Sequence, residues 1–186
     1  METAYGILAG LALAAACGFR VFVPLLVASL AAHAGWLTPS PDFAWLGTTP
    51  AIVMLGVATA LEVGAYYVPW LDHALDTLAS PAAVVAGSLV TASFVTDMDP
   101  LLRWSLAIIA GGGLAAVVQA GSVAARAASL SVSAGLANPA VATAELAGAA
   151  TTSALAITAP WLALLGLLAL GMLGVTAWNR RRNQRA

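Results

Sequence analysis

The sequence has few charged residues and one cysteine, and these shortages exclude several classes of protein. Of its 186 residues, 8% are charged, whereas soluble chains carry about 25%. Lysine is absent and the formal net charge is −1, so the chain has no basic face for nucleic acid. A lone Cys17 excludes a disulfide framework and a cysteine cluster for zinc. We therefore exclude a soluble enzyme and a nucleic-acid-binding domain.

Apolar residues make up most of the chain. Hydrophobic residues are 61% of the sequence, and the mean hydropathy is +0.94. The apolar runs lack the alternation of a membrane barrel, and about 20 apolar residues cross a bilayer as a helix. The sequence thus predicts an all-α, polytopic membrane helix bundle of about six transmembrane helices. We expect one transmembrane domain over 1–178, followed by a basic cytoplasmic tail at 179–186.

Helix starts are indicated where a capping residue precedes a proline. The capping side chain accepts orphan backbone N–H groups, and proline at the first helical position loses no intrahelical bond. These pairs are Thr49-Pro50, Ser80-Pro81, Asp99-Pro100 and Asn138-Pro139. They predict spans at 3–34, 50–67, 81–96, 100–134, 139–158 and 160–178.

Two of these helices, 3–34 and 100–134, exceed the length that a bilayer core of about 30 Å requires. We expect each to tilt strongly or to break. Gly18 and Pro24 permit a break in the first, and the triplet Gly111 to Gly113 permits one in the second.

Segments in the two halves of the chain resemble each other. Residues 29–35 align with 129–135, and residues 58–65 align with 142–149 with the glutamate shifted by one position. They predict a duplication with halves 1–96 and 97–178, although alanine-rich helices also match by chance. With an odd number of spans in each half, the second half enters the membrane inverted, which gives a 3+3 inverted repeat.

The arginines of the tail indicate the orientation of the chain. Positive residues near span ends stay cytoplasmic, so both termini are predicted to be cytoplasmic. The start of the chain has no Lys or Arg before Arg20, so it is interpreted as a retained span and not as a signal peptide. The amphipathic segment 69–79 is predicted to lie flat at the cytoplasmic interface, with Asp72 and Asp76 facing solvent.

Four ionisable residues within the apolar segments are the candidate site: Glu62, Glu145, Arg20 and Arg126. Both glutamates fall near mid-depth of the membrane, where a charged side chain normally faces a partner or an aqueous cavity. In one interpretation the four residues line a site for an ion or small solute, and a glutamate binds and releases a proton. In the other, they form buried ion pairs that fix helix positions.

We expect four further polar side chains to line the pathway or to cross-link helices, namely Gln119, Asn138, Thr59 and Thr143. The chain has no HExxH or GxSxG motif and no clustered His and Asp residues. We therefore expect no enzymatic activity, no metal and no cofactor. The sequence favours a secondary transporter or ion pathway, with a non-transporting scaffold or accessory subunit as the alternative. A homodimer is plausible, because six short helices enclose a narrow cavity.

Long segments of the chain resemble a known family. They are AACGFRVFVPLL at 15–26, LEVGAYYVPWLDHALDTLASPAAVVAGSLVTA at 61–92, PLLRW at 100–104 with GGG at 111–113, and NPAVATAELAGA at 138–149. Together they resemble the bacterial membrane family known as domain of unknown function 4126. The resemblance implies a multi-pass protein of the bacterial inner membrane, and it carries no activity or site residues.

Overall fold

The structure is a computed structural model, and it describes residues 2–133 and 136–183. Helices make up 86% of it, and the described residues contain no strand. The α-helices are α1 Glu2–Cys17, α2 Phe22–His33, α3 Thr49–Ala65, α4 Pro69–Phe94, α5 Pro100–Leu106, α6 Gly113–Ser133, α7 Asn138–Thr158 and α8 Pro160–Asn183. A 3-10 helix covers Pro41–Gly47, and a π-helical segment covers Ala107–Gly112.

Large apolar side chains cover the outside of the helices, as in a membrane protein. Leu61, Ile109 and Val132 are 69%, 77% and 88% exposed, respectively. Three stretches are long and apolar enough to cross a membrane, namely Thr77–Phe94, Pro100–Ser133 and Asn138–Thr158. A bent pair, Pro41–Gly47 with Thr49–Ala65, would make a fourth. The all-α class is confirmed, while the number of about six spans stays a prediction.

The first long helix breaks close to the predicted position. Helix α1 ends at Cys17 and α2 begins at Phe22. A Cβ atom on Gly18 would lie 2.5 Å from the Ala115 carbonyl oxygen, so the turn after α1 packs directly on the α6 backbone. Pro24 lies in the first turn of α2, where its missing N–H breaks no intrahelical bond.

The second long helix does not break. Helices α5 and α6 are joined through the π-helical segment, which keeps the backbone helical from Pro100 to Ser133. Two of its glycines serve close packing on α4: a Cβ on Gly111 would lie 2.8 Å from the Gly87 carbonyl oxygen, and one on Gly112 would lie 2.6 Å from Ser88 Oγ. Small residues commonly allow such close approach between membrane helices.

Helices begin within one residue of three of the four predicted starts, and the start at Ser80-Pro81 is wrong. Asp99 caps α5 as predicted, whereas Thr48 and not Thr49 caps α3, and the N-cap residue of α7 is Ala137 and not Asn138. Helix α4 runs through Pro81 without interruption, so the predicted boundary between an interfacial helix at 69–79 and a span at 81–96 does not exist. Membrane helices tolerate an interior proline where neighbouring groups compensate for the lost backbone bond. The side chains of residues 69–76 lie outside the described part of the structure, and so do the predicted positions of Asp72 and Asp76.

Helix α1 forms the centre of the bundle. Its Ala9, Ala12, Leu13 and Ala16 are completely buried, and α4, α6, α7 and α8 pack around it. Helix α2 packs on α3 and α7. The break between α1 and α2 is therefore surrounded by α3, α6 and α7.

Substitution of a packed glycine tests this arrangement. Gly111→Ala places a Cβ 2.2 Å from Thr91 Oγ1, and we expect the free energy of unfolding to fall by about 1–3 kcal/mol through overpacking. Gly113→Ala is the matched control, since nothing lies within 4 Å of its added Cβ. Thermal unfolding in detergent should show an unchanged or higher midpoint for the control. Equal midpoints for the two variants would contradict the close contact between α4 and the π-helical segment.

Candidate charge site at the helix break

Arg20 lies in the break between α1 and α2 and is 2% exposed. Its Nη2 donates to the carbonyl oxygen of Ala142 at 2.9 Å and lies 3.3 Å from Glu145 Oε2. Both partners belong to α7. The break thus brings a buried guanidinium from the centre of the bundle against a helix of the second half of the chain.

Glu145 also binds Arg126, and the two form a two-point ion pair. Arg126 Nε donates to Glu145 Oε1 at 3.0 Å, and Nη2 donates to Oε2. Ser122 Oγ donates to Oε1 as well. Paired N–H···O bonds between a guanidinium and a carboxylate are among the strongest hydrogen bonds in proteins. Glu145 Oε1 therefore has one charged partner, Arg126, and Glu145 Oε2 has two, Arg126 and Arg20.

The ring of Tyr66 contacts both guanidinium groups. The Cζ atoms of Arg20 and Arg126 lie 3.6 Å and 4.3 Å from the ring centroid. A cation within about 6 Å of an aromatic centroid is attracted to the ring, and more strongly when it is desolvated. Tyr66, which is 6% exposed, therefore holds together two positive charges that would otherwise repel each other.

Glu62 caps helix α2 through the backbone. Its Oε1 accepts from the Val21 N–H at 2.7 Å, and its Oε2 accepts from the Phe22 N–H at 3.0 Å. The first turn of α2 has no side-chain cap of its own at Val21. A carboxylate at this end of a helix satisfies orphan N–H groups and interacts favourably with the helix dipole.

The two glutamates consequently differ in how they are held, although both are buried. Glu145 pairs with Arg20 and Arg126, whereas the ion pairs found among the described side chains do not include Glu62. Two matching buried ion pairs, one for each glutamate, were one sequence interpretation. The structure has instead one three-membered group, Arg20–Glu145–Arg126, and a separate carboxylate on backbone N–H groups.

A cavity of about 410 Å³ borders Glu62. Val21, Phe22 and Tyr66 contribute to its wall, and the remaining lining consists of apolar side chains of α3 and α4. Such a volume falls in the range of small-molecule sites, about 300–1,000 Å³. Two of its lining residues, Leu61 and Leu78, are 69% and 65% exposed. The carboxylate of Glu62 thus lies at a space that opens to the outer surface of the helices and that a small ligand can enter.

Of the other predicted pathway residues, Gln119 and Thr59 lie close to this region. Gln119 is 6% exposed on α6, and its backbone packs against Gly18 at the break. Thr59 lies on α3 less than one turn before Glu62, and its buried Oγ1 has no hydrogen-bond partner in the structure.

Asn138 and Thr143 serve as helix cross-links. Asn138 Oδ1 accepts from Ser129 Oγ at 2.9 Å, which ties the start of α7 to α6. Thr143 is exposed, and its Oγ1 lies 2.9 Å from the hydroxyl of Tyr67. Neither Ser129 nor Tyr67 belongs to the group formed by Arg20, Glu145, Arg126 and Tyr66.

Sequence reasoning did not assign Tyr66 and Ser122 to the site, although helical spacing gives a signal for both. Tyr66 follows Glu62 by four residues, and Ser122 precedes Arg126 by four, so each pair shares a helix face. Within the described residues, His, Cys, Asp and Glu form no group of three that could hold a metal ion.

Comparison with known families agrees with the sequence resemblance. The model of the family described as Domain of unknown function (DUF4126) matches residues 7–180. The chain belongs to this family. No curated protein and no solved structure matches the chain. The family description names no activity, so the function has to be argued from the site.

Removal of one arginine tests the ion-paired group. We expect Arg126→Gln to lower the free energy of unfolding by about 3–5 kcal/mol, because Glu145 is left buried without its two-point partner. Arg103→Gln is the control: the Arg103 side chain is 12% exposed, but its partner Asp42 is 68% exposed. The carboxylate left behind reaches water, so we expect a smaller loss than for the buried pair. Denaturant titration in detergent measures both losses. A smaller loss for Arg126→Gln than for Arg103→Gln would contradict the assignment.

Proposed function

We propose that the protein is a secondary transporter or pathway for a small solute or ion, and that Glu62 is the carboxylate that exchanges partners. One observation carries the proposal: Glu62 is buried, is held by backbone N–H groups and borders a cavity. Intramembrane ionisable residues commonly mark solute and proton pathways.

Glu62 suits this role better than Glu145. Moving Glu145 would leave two buried guanidiniums without their carboxylate, and an unpaired buried charge costs several kcal/mol. Moving Glu62 leaves two backbone N–H groups, which water or a solute can bind. The sequence suggested that both glutamates take part in transport. We propose instead that Glu62 exchanges partners and that Glu145 has a structural role.

The break between α1 and α2 is a second feature that supports the proposal. Secondary transporters with inverted repeats bind substrate at discontinuous helices, whose half-helix N-termini face anionic groups. The N-terminus of α2 has this character, and the segments around Glu62 and Glu145, which resemble each other in sequence, both reach the break. As part of this proposal, the protein has six spans arranged as a 3+3 inverted repeat. It lies in the inner membrane with both termini in the cytoplasm, and a homodimer encloses the pathway.

A non-transporting scaffold or accessory subunit is the second candidate. It is favoured by the Arg20–Glu145–Arg126 group, in which the carboxylate has partners on both oxygens. Such a group fixes the positions of α1, α6 and α7 and requires no contact with water. In this case Glu62 would act as a permanent cap, and its cavity would hold only lipid chains or packed apolar side chains.

Cysteine accessibility separates these two candidates. In a Cys17→Ala background, Ala58→Cys places a thiol at the cavity wall. We expect a charged, membrane-impermeant thiol reagent to label it, because a solute pathway has to admit water. Ala142→Cys is the control, since Ala142 is 1% exposed and lies one turn before Glu145.

The readout is the labelled fraction of folded protein in vesicles, measured by mass spectrometry for reagent applied from each side. Labelling at position 58 with protection at position 142 supports a wet pathway beside Glu62. Protection at both positions, with labelling of both after denaturation, would contradict transport and favour the scaffold.

A further inference from the structure

The site at the start of α2 already holds a carboxylate. Val21 and Phe22 donate at 2.7 Å and 3.0 Å to the two oxygens of Glu62. Two neighbouring N–H groups that each bind one oxygen match the spacing of a carboxylate group, and the N-terminus of a helix favours an anion. A solute with a carboxylate head could therefore take the place of the Glu62 side chain.

Arg20 provides a second observation that points to an anion. It precedes Val21 directly in the chain and is 2% exposed, yet its buried Nε and Nη1 have no hydrogen-bond partner in the structure. Arginine has five N–H donors in a planar fork, and here the hydrogen bond from Nη2 to Ala142 is directed towards α7. Buried donors normally have partners, so Arg20, which does not itself line the cavity, has donors left for a further acceptor at the break.

The cavity wall indicates the chemical class of the solute. Apart from Glu62 and Tyr66, the side chains that line it are apolar, as Phe22, Leu61 and Leu78 illustrate. Apolar walls favour a solute with an organic body, and they disfavour a small inorganic anion that would need polar groups on every side. The combination of a carboxylate site with apolar walls fits a small organic monocarboxylate.

Charge balance indicates that a proton accompanies the solute. The described titratable groups that interact with Glu62 are Arg20 in the break and Cys17 at the end of α1. Tyr66, Arg126 and Glu145 surround Arg20 in turn. Arg20, Arg126, Glu62 and Glu145 sum to zero when all four are charged. A second anion would leave the buried group at −1, which is costly away from water. Protonation of the displaced Glu62 carboxylate, by a proton from solution, restores neutrality.

We infer that the cavity beside Glu62 binds a small organic monocarboxylate at the N–H groups of Val21 and Phe22, and that one proton is taken up by Glu62 for each carboxylate bound. This inference rests on the proposed function, because it names the substrate class and the coupling of the same site. The carboxylate comes either from water or from the bilayer, as a short-chain acid or as a fatty acid.

Calorimetric titration of the purified full-length protein in detergent tests the inference. Butyrate is titrated at neutral pH in two buffers that differ in ionisation enthalpy, so that the difference in heat gives the protons taken up per ligand. We expect about one proton per butyrate in the wild type. Chloride is titrated as the inorganic control, and competition between radiolabelled butyrate and laurate shows whether a fatty acid occupies the same site.

Two matched variants replace a carboxylate by an amide. Glu62→Gln is neutral at all pH values, so we expect roughly tenfold tighter butyrate binding and no proton uptake, since no proton has to bind first. Asp97→Asn is the control. Asp97 is exposed and has φ 55°, a backbone conformation that asparagine also adopts readily, and we expect wild-type affinity and proton uptake.

The outcomes separate this inference from the proposed function. Butyrate binding without proton uptake in the wild type would overturn the inference, and this result does not depend on the folding of Glu62→Gln. Chloride binding as tight as that of butyrate would also overturn it. If butyrate does not bind but position 58 is labelled, the inference is wrong and the proposed function stands. If butyrate does not bind and position 58 is not labelled, the inference and the proposed function are both wrong. Stronger competition by laurate would support the bilayer as the source.

Discussion

The structure depends on one constraint, which is that the first turn of α2 begins inside the bundle and cannot leave its backbone N–H groups unpaired. In an apolar medium each unsatisfied backbone group costs several kcal/mol. The carboxylate of Glu62 binds two of these groups, and it comes from α3, which packs on α2. A helix break that would be unstable alone is thus made possible by a side chain from another helix. The cavity and the charge site both follow from this break.

The second buried carboxylate, that of Glu145, binds side-chain cations and not backbone N–H groups. Glu145 joins Arg20 from the break to Arg126 from α6, and Tyr66 contacts both cations. Such a group is stable only as a whole, because removal of one member leaves a desolvated charge. The two glutamates therefore have different roles. Glu145 fixes the helices around the break, and Glu62 caps α2 through hydrogen bonds in which another acceptor can replace it.

Much of the fold follows from the sequence, but the pairing of charges does not. Apolar runs predict the helices, and Asp99-Pro100 starts a helix because the aspartate caps its first turn. Ser80-Pro81 shows the same pattern inside α4, where tertiary packing outweighs a local signal. The four buried charges are visible as interruptions of apolar segments. Which glutamate meets which arginine depends on helix rotation, and the alanine-rich faces of α6 and α7 hardly specify it.

Infrared difference spectroscopy of the carboxyl C=O stretch tests most directly whether Glu62 is the exchanging carboxylate. Spectra of the wild type, Glu62→Gln and Asp97→Asn in reconstituted membranes are compared between acidic and neutral pH. The account predicts a band from one buried carboxylic acid that is present in the wild type and Asp97→Asn and absent in Glu62→Gln. Persistence of this band in Glu62→Gln would assign the protonation to another carboxyl group, and the central role of Glu62 would be wrong.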